Sequence, residues 1–227
     1  DQMVVGYNNN YGWKTAFASP ENQPTYLHAH KLLRKTWQGM PTKEDIGSER
    51  WNQIADHCNS NYFHIDMERY TLDSVLRKGA ELVKRKGIKC LVIDPFNKVR
   101  DVGGSDDVNR YTMEYLQKIE IFAKKYDVLV FIVAHPTKMY KNQKTGEIDE
   151  PTMYSIKGGG EWYDASYHGI LVHRNYNDNT VKAKVLKVKF QNLGTNQAEA
   201  HFKWESKSGC FIPHEQLNIS GEKMPWE

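Results

Sequence analysis

"IKCLVID" (88–94) and "DVLVFIVAH" (127–135) are two nearly continuous apolar runs, each closing on a polar residue. Apolar residues in succession, rather than in alternation, predict strands buried on both faces, the texture of a parallel sheet. Between the runs Val108, Tyr111, Tyr115, Ile119, Phe122 and Tyr126 recur at steps of three and four, which predicts an amphipathic helix from about Asp107 to Lys125. Helices alternating with such strands place the chain in the α/β class with a mainly parallel sheet.

Upstream, "WKTAFAS" (13–19) reads as a short strand ending in Pro20-Glu21, and "YLHAHKLLRKTW" (26–37) as a helix. A short helix over "SERWNQIADHC" (48–58) leads into the extended "YFHID" (62–66). Thr71 is placed to cap a helix whose Leu72, Val75, Leu76, Leu82 and Val83 share one face. Downstream the texture changes. "GILVHR" (169–174), "VKAKVLKVKF" (181–190) and "EAHFKW" (199–204) follow one another without room for helices, so antiparallel strands are expected to extend the sheet. The tail from about Ser206 reads as irregular.

The 227 residues, 39% hydrophobic and 26% charged, suffice for one full core and suggest a single domain. No apolar run approaches the roughly 18–20 residues that span a bilayer, and no charged-then-apolar leader opens the chain. A cytoplasmic protein with no membrane partner is the expectation. Cys58, Cys90 and Cys210 are odd in number and far apart, which fits neither a disulfide framework nor a zinc ribbon. A net charge of +3 does not by itself indicate nucleic acid. The distribution is more telling: Lys138, Lys141, Lys144 and Lys157 gather around one loop-like region, a pattern that solvated loops also show.

Ligands of a parallel sheet bind at the carboxyl ends of its strands. Glu21, Asp94 and His135 stand where three strands stop. An aspartate there suits a nucleotide's Mg²⁺, because a hard cation prefers oxygen, though an aspartate after a strand also serves as a turn former. Glu21, one strand away, could orient or deprotonate a water attacking a γ-phosphate, or merely open a helix. His135 could sense that phosphate, or be a strand-end histidine satisfied locally. The phosphate loop G-x-x-x-x-G-K-[ST] is not found: "KGGGEW" (157–162) carries its lysine before the glycines. The opening "DQMVVGYNNNYGWKTAFAS" looks like the latter part of a helix and a strand, as follows a glycine-rich loop in nucleotide-binding folds.

In "VKAKVLKVKF" alternation puts Val181, Ala183 and Val185 on one face with Lys187 and Lys189. Either a bulge shifts the register, or the strand leaves the core and presents the two lysines outward. A solvated edge strand guarded by lysines would look the same. His28 and His30, two positions apart on a helix, diverge, and no third metal ligand accompanies them.

These motifs, in order from about Tyr11 to Gly209, resemble the hexameric RecA-type replicative helicases, DnaB and especially the Twinkle-like and bacteriophage primase-helicases. "WKTAFASPEN" is similar to the strand delivering the family's catalytic glutamate, "CLVIDPFNKV" to the Walker B strand, and "LVFIVAHPTK" to the strand ending in a phosphate-sensing residue. "IKGGGEWYDASYHGILVHRN" resembles the glycine-rich DNA-contact motif with its helix and next strand, and "VLKVKFQNLGTN" the strand carrying a basic finger to a neighbouring subunit. The resemblance implies a RecA-like three-layer core. It implies Glu21 as catalytic base, Asp94 on Mg²⁺, His135 as sensor, and Lys187 and Lys189 as the finger, with lysine where an arginine is common. It implies Arg174 and Trp204 at the nucleotide base, and Lys138, Lys141, Lys144, Lys157, Gly158, Gly159 and Gly160 on DNA.

Residues 1–205 would then be the motor domain, with the Walker A loop expected upstream of Asp1, and 206–227 a tail. The implied cofactors are ATP or another NTP and Mg²⁺. Implied partners are single-stranded or forked DNA, further copies in a ring, a hexamer, and a primase, in a bacterial or phage-infected cell. A recombinase-like ATPase and a non-hydrolysing DNA-binding module remain the rivals.

Overall fold

The computed structural model describes residues 1–99, 107–138, 150–175 and 178–214. Lys141 and Lys144, from the loop-like basic region, lie outside them. In chain order the regular elements are α1 (Gln2–Tyr11), β1 (Lys14–Ala18), α2 (Thr25–Trp37), α3 (Glu49–Asn61), β2 (Tyr62–His64), α4 (Leu72–Lys86), β3 (Ile88–Ile93), α5 (Val108–Tyr126) and β4 (Leu129–Ile132). After these come α6 (Gly159–Ala165), β5 (His168–Arg174), β6 (Thr180–Val188), β7 (Glu199–Glu205) and β8 (Cys210–Pro213).

The first four strands form one parallel sheet in the order β2-β1-β3-β4. Its two faces are read directly from the alternation of side chains. Ala16, Ala18, Leu91 and Ile93 point to one side, where α4 supplies Leu72 and Val75 and α5 supplies Tyr111, Tyr115, Ile119 and Phe122. Phe17, Val92 and Phe131 point to the other, against Val4 and Val5 of α1 and Leu32 of α2. Helices on both faces make the expected three-layer RecA-like core. Thr71 caps α4 as anticipated, its Oγ1 accepting from the Ser74 N–H at 3.2 Å, and Asp107 caps α5, its Oδ1 accepting from the N–H groups of Asn109 and Arg110.

Three features differ from the sequence reading. β4 is half-buried along its length rather than fully buried, because it is the outer strand of the parallel sheet. The antiparallel strands form a four-stranded sheet of their own, β5-β6-β7-β8, beside the parallel one. β8 falls in the stretch expected to be irregular; it pairs with β7, with buried Gly209 at φ 65° in the connecting turn. That hairpin is tied to the first layer of helices. Gln2 exchanges two hydrogen bonds with the Phe211 backbone at 2.8 and 2.7 Å, Arg34 Nε donates to the Lys207 carbonyl at 2.8 Å, and Lys35 Nζ donates to the Gly209 carbonyl.

No helix among the described residues is long and apolar enough to cross a membrane.

Candidate nucleotide and DNA site

The strand order 2-1-3-4 reverses between β1 and β3, and such a reversal leaves a crevice at the carboxyl ends of the two strands. Chains leaving neighbouring parallel strands there must turn to opposite faces of the sheet, so the crevice follows from topology. Asp94 closes β3 at this point, its N–H donating to the Ala18 carbonyl of β1 at 3.0 Å. Its half-buried carboxylate is held from the β1 side: Ser19 Oγ donates to Oδ2 at 3.2 Å and Asn22 Nδ2 at 3.1 Å, while Asn22 also donates to Ser19 Oγ at 2.7 Å. No side chain among the described residues forms an ion pair with Asp94, although the amino group of Asp1 lies near enough to feel its charge. An oriented carboxylate beside a hydroxyl, without a lysine or arginine to neutralise it, is a donor set that suits a hard divalent cation. Ser19 and Asn22 were not singled out in the sequence, though they flank Glu21 in "ASPEN".

Glu21 itself is exposed in the turn after β1, with no hydrogen bond or ion pair among the described residues. His135 is exposed just beyond β4. The segment after it does not run free: Pro136 bridges Ile156, and Thr137 donates to the Ser155 carbonyl through both its N–H (2.7 Å) and its hydroxyl (2.9 Å). The histidine is thereby joined, within two residues, to the lead-in of the glycine stretch. Lys138 is exposed immediately beyond this bridge.

The three glycines prove unequal. They are not a loop: Gly158 is the N-cap of α6, and Gly159 and Gly160 form its first turn. A Cβ on Gly158, at φ 82°, would meet Thr112 Oγ1 at 2.6 Å, and one on Gly159 would meet the Tyr154 carbonyl oxygen at 2.4 Å. Only Gly160 opens onto free space. Trp162, 3% exposed, is the helix's anchor, packing edge-on to Phe96 at 4.9 Å and donating from Nε1 to the Lys157 carbonyl at 3.2 Å. Lys157 itself is exposed. In thermal melts Gly158→Ala and Gly159→Ala should each lose on the order of 2 kcal/mol or more, from strain and backbone overlap. Gly160→Ala should gain up to about 1 kcal/mol of helix propensity. Equal melting of all three would contradict this division.

A bulge does interrupt the basic strand: Gly169 pairs with Lys187 but Ile170 with Val185, leaving Leu186 as the extra residue. β6 is flanked by β5 and β7, so it is not an edge strand. Its Lys182 and Lys184 are held by Glu150 and Glu199, Lys184 at 2.9 and 3.0 Å. Lys187 and Lys189 separate. Lys187 donates to the Tyr163 and Asp164 carbonyls at the carboxyl end of α6 and lies over the Tyr163 ring, and its partial burial holds its pKa below the usual lysine value. Lys189 is exposed, 4.1 Å from the Tyr167 ring centroid.

Arg174 and Trp204 lie toward the same end of the antiparallel sheet. Arg174 sits across from Val181, Val181 across from Phe202, and Trp204 follows two residues on, which places both side chains on one face. Trp204 is 48% exposed rather than a core aromatic, with Lys35 over its ring at 5.1 Å. Arg174 donates to Asn179 Oδ1 at 3.0 Å.

His28 and His30 diverge on α2, one buried and one exposed. His28, 1% exposed, meets His64 Nε2 at 2.8 Å through Nδ1 and Asp1 Oδ1 at 3.0 Å through Nε2. Burial lowers both imidazoles from 6.5 to about 4, with the amino group of Asp1 and then Lys31 adding to the effect at His28 and the second imidazole to that at His64; Asp94 and Asp66 oppose it. Depressed histidine values mean that the unfolded chain binds more protons between pH 4 and 6.5. Stability from this pair is therefore full above about pH 6.5 and declines as the pH falls toward 4, by an amount on the order of a few kcal/mol. Denaturant melts should show that decline in the wild type and a flatter profile in His28→Gln.

No family model matches the chain. A Twinkle homolog protein, chloroplastic/mitochondrial, from Arabidopsis thaliana is 30% identical over 196 residues, covering 79% of this chain and 26% of that protein. The chain thus spans about a quarter of the curated relative's length. Among solved structures, one ATPase domain superposes with a TM-score of 0.70 at 13% identity, over 93% of this chain and 78% of that one. A DnaB-like replicative helicase, described with its interactions with primase, gives 0.69 at 14% identity, over 92% and 52%. The RadB recombinase gives 0.56 at 11% identity, over 90% and 81%.

Proposed function

We propose, from this chain's place in the RecA-type replicative helicase family, that it is the NTP-driven motor domain of a replicative DNA helicase. The observation that carries the reading is the meeting of β1 and β3 at the topological switch, where Ser19 and Asn22 orient Asp94 beside exposed Glu21. In this reading residues 1–205 are the motor and the nucleotide binds between copies of the chain in a ring.

Asp94 would hold Mg²⁺, which when bound neutralises charge on the nucleotide's phosphates. The Ser19 hydroxyl and the Asn22 amide keep the Asp94 carboxylate turned toward the crevice. Glu21 accepts the proton of the attacking water, a role that requires an unpaired carboxylate with solvent access. Lys189 of a neighbouring copy supplies positive charge to the transferred phosphoryl group as a point charge, without the fork of an arginine. Lys187, tied to α6, either leaves Tyr163 to join it or holds α6 in place; the exposed state of Lys189 favours it as the finger. Arg174 and Trp204 offer flat faces to the base.

DNA phosphates would meet Lys138, Lys157 and the open backbone at Gly160, a contact without sequence information. His135 is linked to that region by the Pro136–Ile156 bridge, so a shift at the nucleotide reaches Lys157 through one pair of short segments. A recombinase-like ATPase shares the crevice, and the RadB superposition keeps it as the second reading. Unwinding separates them. The intact protein should open a forked duplex with ATP and not with a non-hydrolysable analogue; filament growth on single strands without unwinding would favour the second reading.

A further inference from the structure

Tyr154 and Tyr163 are large aromatic side chains that the core does not use. Tyr154 is 62% exposed and Tyr163 37%, and neither hydroxyl has a hydrogen-bond partner among the described residues. Their rings nonetheless lie nearly parallel, 20° apart with centroids separated by 5.2 Å. Both are held from behind. The backbone of Tyr154 sits in a 3₁₀ turn, Met153–Ser155, closed by a capping box between Thr152 and Ser155, and α6 packs directly on it at Gly159. Tyr163 has Lys187 over its ring at 4.7 Å.

We infer that Tyr154, backed by Tyr163, is a stacking platform for a base of single-stranded nucleic acid. A base stacks on any aromatic face without regard to its identity, and a ring already fixed loses little freedom on binding. The surrounding charge suits such an occupant: exposed Lys157 follows Tyr154 by three residues, and Lys187 stands beside Tyr163. Of the nearby acids, Glu161 is two positions from Tyr163 and so off its face of α6, while exposed Asp164 lies within the field of Lys187, which offsets its charge. The adjacent aromatic Trp162 is excluded as a platform by its burial. The platform adds base contact to a surface otherwise read as gripping phosphates, and it rests on the DNA-binding reading above. The Thr137–Ser155 hydrogen bonds place it one residue from the bridge to His135, so its position would follow the nucleotide as well.

The test is fluorescence anisotropy of the intact protein with two labelled oligonucleotides, oligo-thymidine and an abasic strand of the same length, across a salt series. Tyr154→Leu should weaken oligo-thymidine binding about tenfold while leaving abasic binding and the salt slope unchanged; Tyr154→Phe should restore affinity to within about twofold. Lys157→Ala should weaken both strands alike and lower the salt slope by about one. If Tyr154→Leu changes nothing, or weakens both strands equally, the platform is overturned while DNA binding stands. If the wild type binds neither strand, the platform and the DNA-binding reading fall together.

Discussion

Glu21→Gln is expected to lower ATP hydrolysis by the intact protein by about 10²- to 10⁴-fold, the usual contribution of a positioned general base. Nucleotide affinity should stay within a few-fold and the melting temperature should not move. The second expectation follows from geometry: Glu21 is exposed and makes no hydrogen bond or ion pair among the described residues, so the amide disturbs no packing. Steady-state hydrolysis, nucleotide binding by fluorescence and a thermal melt of the same preparation check the three parts together. Turnover unchanged in Glu21→Gln would remove this residue from the role of base.

Asp94→Asn should have a comparable effect by a different route. Asparagine keeps the shape and an oxygen able to accept from Ser19 and Asn22, so the end of β3 should stay in place. What is lost is the charge. Metal assistance of phosphoryl transfer is worth several kcal/mol, so hydrolysis should fall on the order of 10³-fold. A Mg²⁺ titration should separate this variant from Glu21→Gln. Thermal stabilisation by Mg²⁺ with nucleotide should be seen in the wild type and Glu21→Gln and be nearly absent in Asp94→Asn. Equal stabilisation in all three would argue against Asp94 as the ligand.

Much of the fold was legible because its elements are amphipathic or doubly buried in ways that leave a periodic trace. α5 and β3 match their sequence patterns closely, and Asp94 does stand directly after β3, as its run of apolar residues implies. What the sequence could not show are choices between partners. The bulge at Leu186 was one of two readings, and only the β5 register selects it. Lys187 and Lys189 look equivalent by alternation, yet one meets the end of α6 and the other faces solvent. The glycines of "KGGGEW" look alike in the sequence, yet a Cβ on two of them would meet Thr112 and Tyr154, residues 46 and 5 positions away in the chain. Ser19 and Asn22 gain meaning only when β3 is laid beside β1.

The half-exposed Trp204 and the exposed Tyr154 show the converse case. Their identity suggests a core, and their position refuses it. Departures of this kind from local packing rules, with the oriented carboxylate at the β1/β3 crevice, are the observations from which the proposed site is argued.

In the proposed motor the crevice hydrolyses nucleotide and the glycine-bearing face reports DNA to it. The deciding measurement is the rate of ATP hydrolysis of the intact protein, with Mg²⁺, with and without single-stranded DNA. Mg²⁺-dependent hydrolysis that single-stranded DNA accelerates severalfold is expected, with the acceleration blunted in Lys157→Ala. No hydrolysis under either condition, or a rate indifferent to DNA, would contradict it.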